Sequence, residues 1–126
     1  MPAYDGERFS PPAPVAFVTL RNPATNAVAI NVPMLIDSGS DATMVPQQLV
    51  RNLGIDTSVA RQFEVAGVEG TTFVQAVSLQ LHFLGRGFHG EFLVASSEYG
   101  ILGRNIVNRV PLLLDGPKLI WDEARR

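Results

Sequence analysis

The stretch MLIDSGSDATMV, Met34 to Val45, sets an apolar run on either side of Asp37-Ser38-Gly39-Ser40-Asp41. Asp, Ser and Gly favour turns, because short polar side chains bond their own backbone and glycine accepts positive φ. A surface turn is therefore one reading, but the flanks favour another. MLID arrives as an apolar strand, and Thr43, Met44 and Val45 re-enter the core at once, so Asp37 stands at the end of a buried element. A second segment, YGILGRN (Tyr99 to Asn105), has the same form: an apolar pair, a glycine, then hydrogen-bonding residues.

At 126 residues the chain is one domain long and can bury a single core. Hydrophobic residues make up 46% and charged residues 17%, far from the composition of a disordered segment. So apolar a small domain raises the expectation that a second copy covers part of its surface. The net charge of -2, with no local Lys/Arg cluster, gives no footprint for nucleic acid. With no cysteine, thiol catalysis, disulfides and cysteine-ligated metal are excluded. The two histidines, His82 and His89, stand at no metal-binding spacing from carboxylates, and neither metal nor cofactor is expected. The start MPAYDGERFSPPAPV lacks a basic region followed by an apolar one. No apolar run nears the roughly 20 residues of a membrane span, so the expected setting is the cytoplasm.

Residues 1–14, with Pro2, Pro11, Pro12 and Pro14, read as a flexible or extended arm, and 15–126 as the folded domain. VAFVTLRN and AVAINVPMLID are β-branched apolar runs about the turn-forming NPATN, which predicts an antiparallel pair. In VPQQLVRNLGI the period changes. Val45, Leu49 and Leu53 fall four apart, with Pro46 placed to open a helix and Gly54 to close it, over about 46–53. RQFEVAGVEGTTFVQAVSLQLHFLG predicts two strands about Gly67-Val68-Glu69-Gly70, a hairpin over about 63–77. Its second strand alternates, with Val77, Leu79, Leu81 and Phe83 against Ser78, Gln80 and His82. GFHGEFLVASS is a further strand, and ILGRNIVNRV a buried strand end feeding a short helix. PLLLDGPKLIWDE is a terminal hairpin over about 110–123, turning at Asp115-Gly116-Pro117. The class is all-β with two short helices, and no internal repeat supplies a second lobe.

LIDSGSDATMV resembles the apolar-apolar-Asp-(Thr/Ser)-Gly-(Ala/Ser) signature of aspartic proteases. The Asp41-Ala42-Thr43 that follows is similar to the retroviral-type, single-domain branch, the retropepsins. ILGRN, Ile101 to Asn105, resembles that branch's second signature, an apolar pair followed by Gly-Arg-(Asn/Asp). AGVEG falls where the family carries its flap. The likeness runs from about Phe17 to Glu123, and the helix PQQLVRNLG and hairpin LDGPKL are more similar to bacterial and cellular members than to viral ones. It implies a single-lobe, β-barrel-like acid-protease fold active as a two-fold homodimer, a peptide or protein substrate, and catalysis by Asp37.

Chemistry supplies a reason for that implication. Hydrolysing a peptide bond without metal or side-chain nucleophile needs a water that loses a proton while the amide gains one. Two carboxylates about 3 Å apart do both, because like charges so close cannot both ionise and the pair shares one proton. The chain holds one such signature. Asp41 lies four residues beyond Asp37 and past the Gly39 turn, so the expected partner is Asp37 of a second copy on a two-fold axis.

On the resemblance, Gly39 offers its amide to the carboxylate and lets the two loops approach. Ser38 braces them across the axis, and Ser40 bonds the outer carboxylate oxygen or the substrate backbone. Asp41 is expected to pair with Arg104, whose planar fork suits a carboxylate. Gly103 allows the second signature to pack behind the acid loop. Gly67 and Gly70 let the flap bend, and Val68 at its tip is the lid contact. Without the resemblance, these are ordinary turn residues on ordinary hairpins.

Two other readings use the same residues. The scaffold also suits a non-catalytic peptide-binding or dimerisation module. DSGSDAT as a phosphorylated recognition motif is disfavoured by its place between two buried runs. Ser38 and Ser40 fail as hydrolase nucleophiles, lacking a Gly-x-Ser-x-Gly elbow and a histidine partner.

Overall fold

The computed structural model describes residues 2–55, 61–67 and 70–124, with the backbone alone for 61–67 and 70–73. The elements in chain order are β1 (Tyr4–Asp5), β2 (Ala13–Arg21), β3 (Val28–Ile36), β4 (Met44–Pro46), α1 (Gln47–Asn52), β5 (Arg61–Gly67) and β6 (Gly70–Phe83). There follow β7 (Arg86–Ala95), β8 (Gly100–Leu102), α2 (Arg104–Val107), β9 (Leu112–Asp115) and β10 (Ile120–Glu123). Among the described residues the chain is thus mostly β with two short helices, as its apolar periodicities predict.

β2 and β3 pair antiparallel from Val15 opposite Leu35 to Arg21 opposite Val28, about the NPATN turn. An irregularity between Val18 and Leu20 is absorbed by Asn31, whose φ of 55° is one that asparagine accepts more readily than most side chains. The alternation read along β6 is realised: Val77, Leu79, Leu81 and Phe83 are all buried, while Ser78 and His82 face solvent. They join Val18, Leu20, Val32, Met34 and Leu102 in one core cluster.

One sheet runs β1-β2-β3-β8-β4-β7-β6-β5, and β9 and β10 form a separate hairpin. β2 also pairs with β6, from Thr19 opposite His82 to Arg21 opposite Gln80, so the sheet turns back on itself around the core. Closing a sheet this way satisfies an otherwise bare edge.

The position of β8 determines the site. β3 runs parallel to it, with Met34, Leu35 and Ile36 opposite Gly100, Ile101 and Leu102. On its other side Met44 of β4 pairs antiparallel with Ile101. β3 and β4 are consecutive in the chain, yet β8 lies between them. The connection from Asp37 to Thr43 must therefore cross the end of β8.

Two sequence expectations change. The helix begins after Pro46, whose ψ of 130° is extended, and ends before Gly54 at φ +72°, so it is slightly shorter than 46–53. The proline-rich segment, read as a flexible or extended arm, is extended at Tyr4–Asp5 and docked. Tyr4 and Asp5 pair with Pro14 and Ala13. The Tyr4 N–H donates to the Leu119 carbonyl at 2.8 Å, and the Trp121 N–H to the Pro2 carbonyl at 2.9 Å. Prolines suit such an edge, because they fix extended backbone and need no donor. Trp121 is core: it is buried, packs against Phe83 and donates its indole N–H to the Val15 carbonyl at 3.1 Å.

Candidate active site

The loop carrying Asp37 starts as an extension of the β3–β8 ladder. The Asp37 N–H donates to the Leu102 carbonyl at 3.0 Å, which fixes the acid's backbone one residue beyond the strand. Its side chain is half-buried, and Oδ1 accepts the Gly39 N–H at 2.9 Å. The Ser40 N–H returns to the Asp37 carbonyl at 3.2 Å and closes the turn. The amide that Gly39 was expected to offer the carboxylate is therefore in place.

The second segment holds the loop from behind. The Arg104 N–H donates to the Ser40 carbonyl at 2.8 Å, and its guanidinium to the Ser38 carbonyl at 2.8 Å. Thr43, only 1% exposed, accepts the Gly103 N–H at 3.0 Å and donates its hydroxyl to Asn105 Oδ1 at 2.6 Å. A Cβ on Gly103 would overlap the Ala42 carbonyl and lie 2.9 Å from the Ser40 carbonyl oxygen, so no other residue fits.

Asp37, Ser38, Gly39, Ser40, Asp41, Gly103 and Arg104 are thus gathered at one crossing of two segments. Three expectations need adjusting or fall elsewhere. Arg104 does not pair with Asp41. Its guanidinium takes the Ser38 carbonyl, and Asp41 stays exposed, where an ion pair adds little over hydration. The Ser40 hydroxyl bonds the Ala42 carbonyl at 3.0 Å and leaves the carboxylate alone. Gly67 and Gly70 face each other at the end of the β5–β6 ladder, while Val68 lies outside the described residues.

Sequence reading missed the Thr43–Asn105 bond. Both residues stand inside the two motifs, but nothing in their 62-residue separation announces contact. The one available signal was a hydroxyl set between apolar neighbours, which has to find a partner when buried.

A cavity of about 400 Å³ is lined by Met44, Gln47, Val74, Gln75, Val94, Ala95, Ser96 and Ser97. Its lining joins Met44 of β4, the strand that follows the acid loop, with Val94 of β7 and Val74 of β6, the second strand of the glycine hairpin. Among the described residues no three His, Asp or Glu side chains cluster as a metal site. Nor is any helix there long and apolar enough to cross a membrane.

An acid fixed by backbone bonds at the end of a buried strand, and braced by a Gly-Arg-Asn segment, is the arrangement expected from the resemblance to aspartic proteases. Comparison with known proteins agrees. The family model described as aspartyl protease matches residues 26–106, more than half of the chain. The chain belongs to the aspartyl protease family. Its fold is retropepsin-like, similar to that of EIAV protease complexed with the inhibitor HBY-793, with a TM-score of 0.57 over 77% of this chain and 86% of that one. Identity between the two is 21%, so the likeness is one of fold. No curated protein sequence matches the chain.

Proposed function

We propose that the chain is an aspartic endopeptidase that works as a two-fold homodimer, with Asp37 of each subunit forming the catalytic dyad. The observation that carries this reading is the acid loop: a carboxylate held by the ladder bond to Leu102 and by the Gly39 amide, in a chain with one such loop. An isologous dimer brings that carboxylate to the axis twice. The pair then holds one proton between them, and its titration belongs to both subunits together. A water between the carboxylates gives its proton to the ionised member as it attacks the peptide carbonyl. The protonated member supplies the proton that the departing amine requires.

The substrate is an extended peptide bound between the subunits as an added strand, beneath the two β5–β6 hairpins. Gly67 and Gly70 let each hairpin bend over it, and Val68 is the lid contact. Ser38 braces the loops across the axis, and Arg104 and Gly103 hold each loop from behind.

The test is Asp37→Asn, assayed with a peptide library from acidic to neutral pH. Wild-type cleavage that a statine-type peptide mimic blocks, and that falls by about 10³-fold in the variant, is the expected outcome. Equal cleavage by both proteins contradicts the proposal. Peptide binding by both without cleavage would assign the scaffold to a non-catalytic binding module.

A further inference from the structure

The loop between β1 and β2, Gly6–Pro12, is tightly built. Asp5 Oδ1 accepts the backbone N–H of Glu7 and of Arg8, each at 2.9 Å, and Oδ2 accepts the Arg8 guanidinium at 2.6 Å. These bonds, the Arg8 backbone N–H foremost, hold the Asp5 carboxyl below its usual range. Pro11 and Pro12 stiffen the return into β2. Phe9, on this loop, is half-buried, and its ring meets that of Tyr99 edge-on, with centroids 4.9 Å apart at 66°. This is a favoured aromatic geometry.

Tyr99 ends the connection from β7 to β8. Earlier in that connection, Ser96 and Ser97 line the 400 Å³ cavity together with Met44 and Val74. The Tyr99 N–H donates to Ser97 Oγ at 3.2 Å. The next residue, Gly100, sits so close to Met34 and Met44 that a Cβ would overlap the Met34 sulfur and the Met44 carbonyl oxygen. The connection is thereby locked at its β8 end to β3, the strand that leads into Asp37, and Tyr99 rests on Phe9.

We propose that Phe9 is a positioning residue for substrate selection: through Tyr99, bonded to Ser97, it sets the Ser96–Ser97 wall of the cavity and so which substrate side chain enters. The inference rests on the protease reading. Among the described residues no charged side chain lines the cavity, and its apolar surface comes from Met44, Val74, Val94 and Ala95. With Gln47, Gln75, Ser96 and Ser97 completing the described lining, it suits an uncharged side chain, since a charged one would be desolvated without an opposite charge. The N-terminal arm becomes a working part of the substrate wall.

The experiment compares Phe9→Ala, Phe9→Tyr and Glu7→Ala with wild type on peptides that differ at one position, large apolar against small. Phe9→Ala is expected to change the ratio of kcat/KM between the two peptides by about tenfold, the scale of an altered apolar pocket, with the change falling on KM. Phe9→Tyr restores the wild-type ratio, and Glu7→Ala on the same loop keeps it. Tyr99→Ala shifts the ratio likewise, and the double variant shifts it no further, because the two side chains act as one. Should Phe9→Ala not fold, Phe9→Leu keeps the bulk without the ring contact and reads the same quantity. An unchanged ratio in a folded Phe9 variant overturns the inference, as do additive shifts in the double variant. If wild type cleaves and Asp37→Asn does not while the ratio is unchanged, this inference alone falls. If wild type cleaves nothing, both fall.

Discussion

Two loops of this chain, both made of small turn-forming residues, serve different ends. NPATNA, Asn22 to Ala27, closes on itself: Asn22 N–H to the Ala27 carbonyl at 2.9 Å, Asn26 N–H to the Asn22 carbonyl at 2.8 Å, and Ala24 N–H to Asn22 Oδ1 at 3.0 Å. Two side-chain bonds link it to residues outside, from Asn22 to the Leu53 carbonyl at 3.0 Å and from the Arg21 guanidinium to Asn26 Oδ1. DSGSDAT, Asp37 to Thr43, also has local bonds, but its bracing comes from Leu102, Gly103, Arg104 and Asn105, some 60 residues on. The first loop reverses the chain. The second is held by a strand and a helix that arrive later, which leaves the Asp37 carboxylate partly free of structural duty.

Three substitutions sharpen that contrast. The largest effect is expected at Gly103→Ala, where the new Cβ would lie 2.5 Å from the Ala42 carbonyl carbon. Overpacking against backbone this close destabilises by about 3 kcal/mol, and thermal unfolding together with peptide cleavage should both register it. Next is Thr43→Val, which keeps the shape but strips the Gly103 N–H and Asn105 of their partner. Leaving buried polar groups unpaired costs about 2 kcal/mol, visible as a lower denaturant midpoint with the m-value unchanged. Cleavage should fall further than that loss of stability explains. The smallest is Asn22→Ala in the other loop, which removes the bonds to Ala24 and Leu53. It should lower stability by about 1 kcal/mol while kcat and KM of the folded protein stay at wild-type values. A large kinetic change there, or none at Thr43, would erase the distinction between the loops.

Much of this architecture is legible in the residues. The alternation of Val77, Leu79, Leu81 and Phe83 announces a one-sided strand, and NPATN between two apolar runs announces a hairpin, because both signals are local. Asp37, Gly39 and Gly103 are legible because each stands in a short motif that resembles the aspartic-protease signatures. What stayed hidden depends on partners distant in sequence. The arm's prolines specify extended backbone but not the Leu119 carbonyl that Tyr4 finds. Arg104 has a carboxylate and a carbonyl within the same motif, and only the folded loop decides for the carbonyl of Ser38. The Thr43–Asn105 bond is of the same kind.

The most direct test of a dyad built from two copies of one aspartate is subunit mixing. Wild type and Asp37→Asn are combined at constant total protein, allowed to exchange subunits, and assayed for peptide cleavage. If each dyad needs Asp37 from both subunits, activity falls as the square of the wild-type fraction, to about one quarter of the wild-type value at equal amounts. A linear fall, to about one half at equal amounts, would mean that each chain works with its own acid, and would contradict the account.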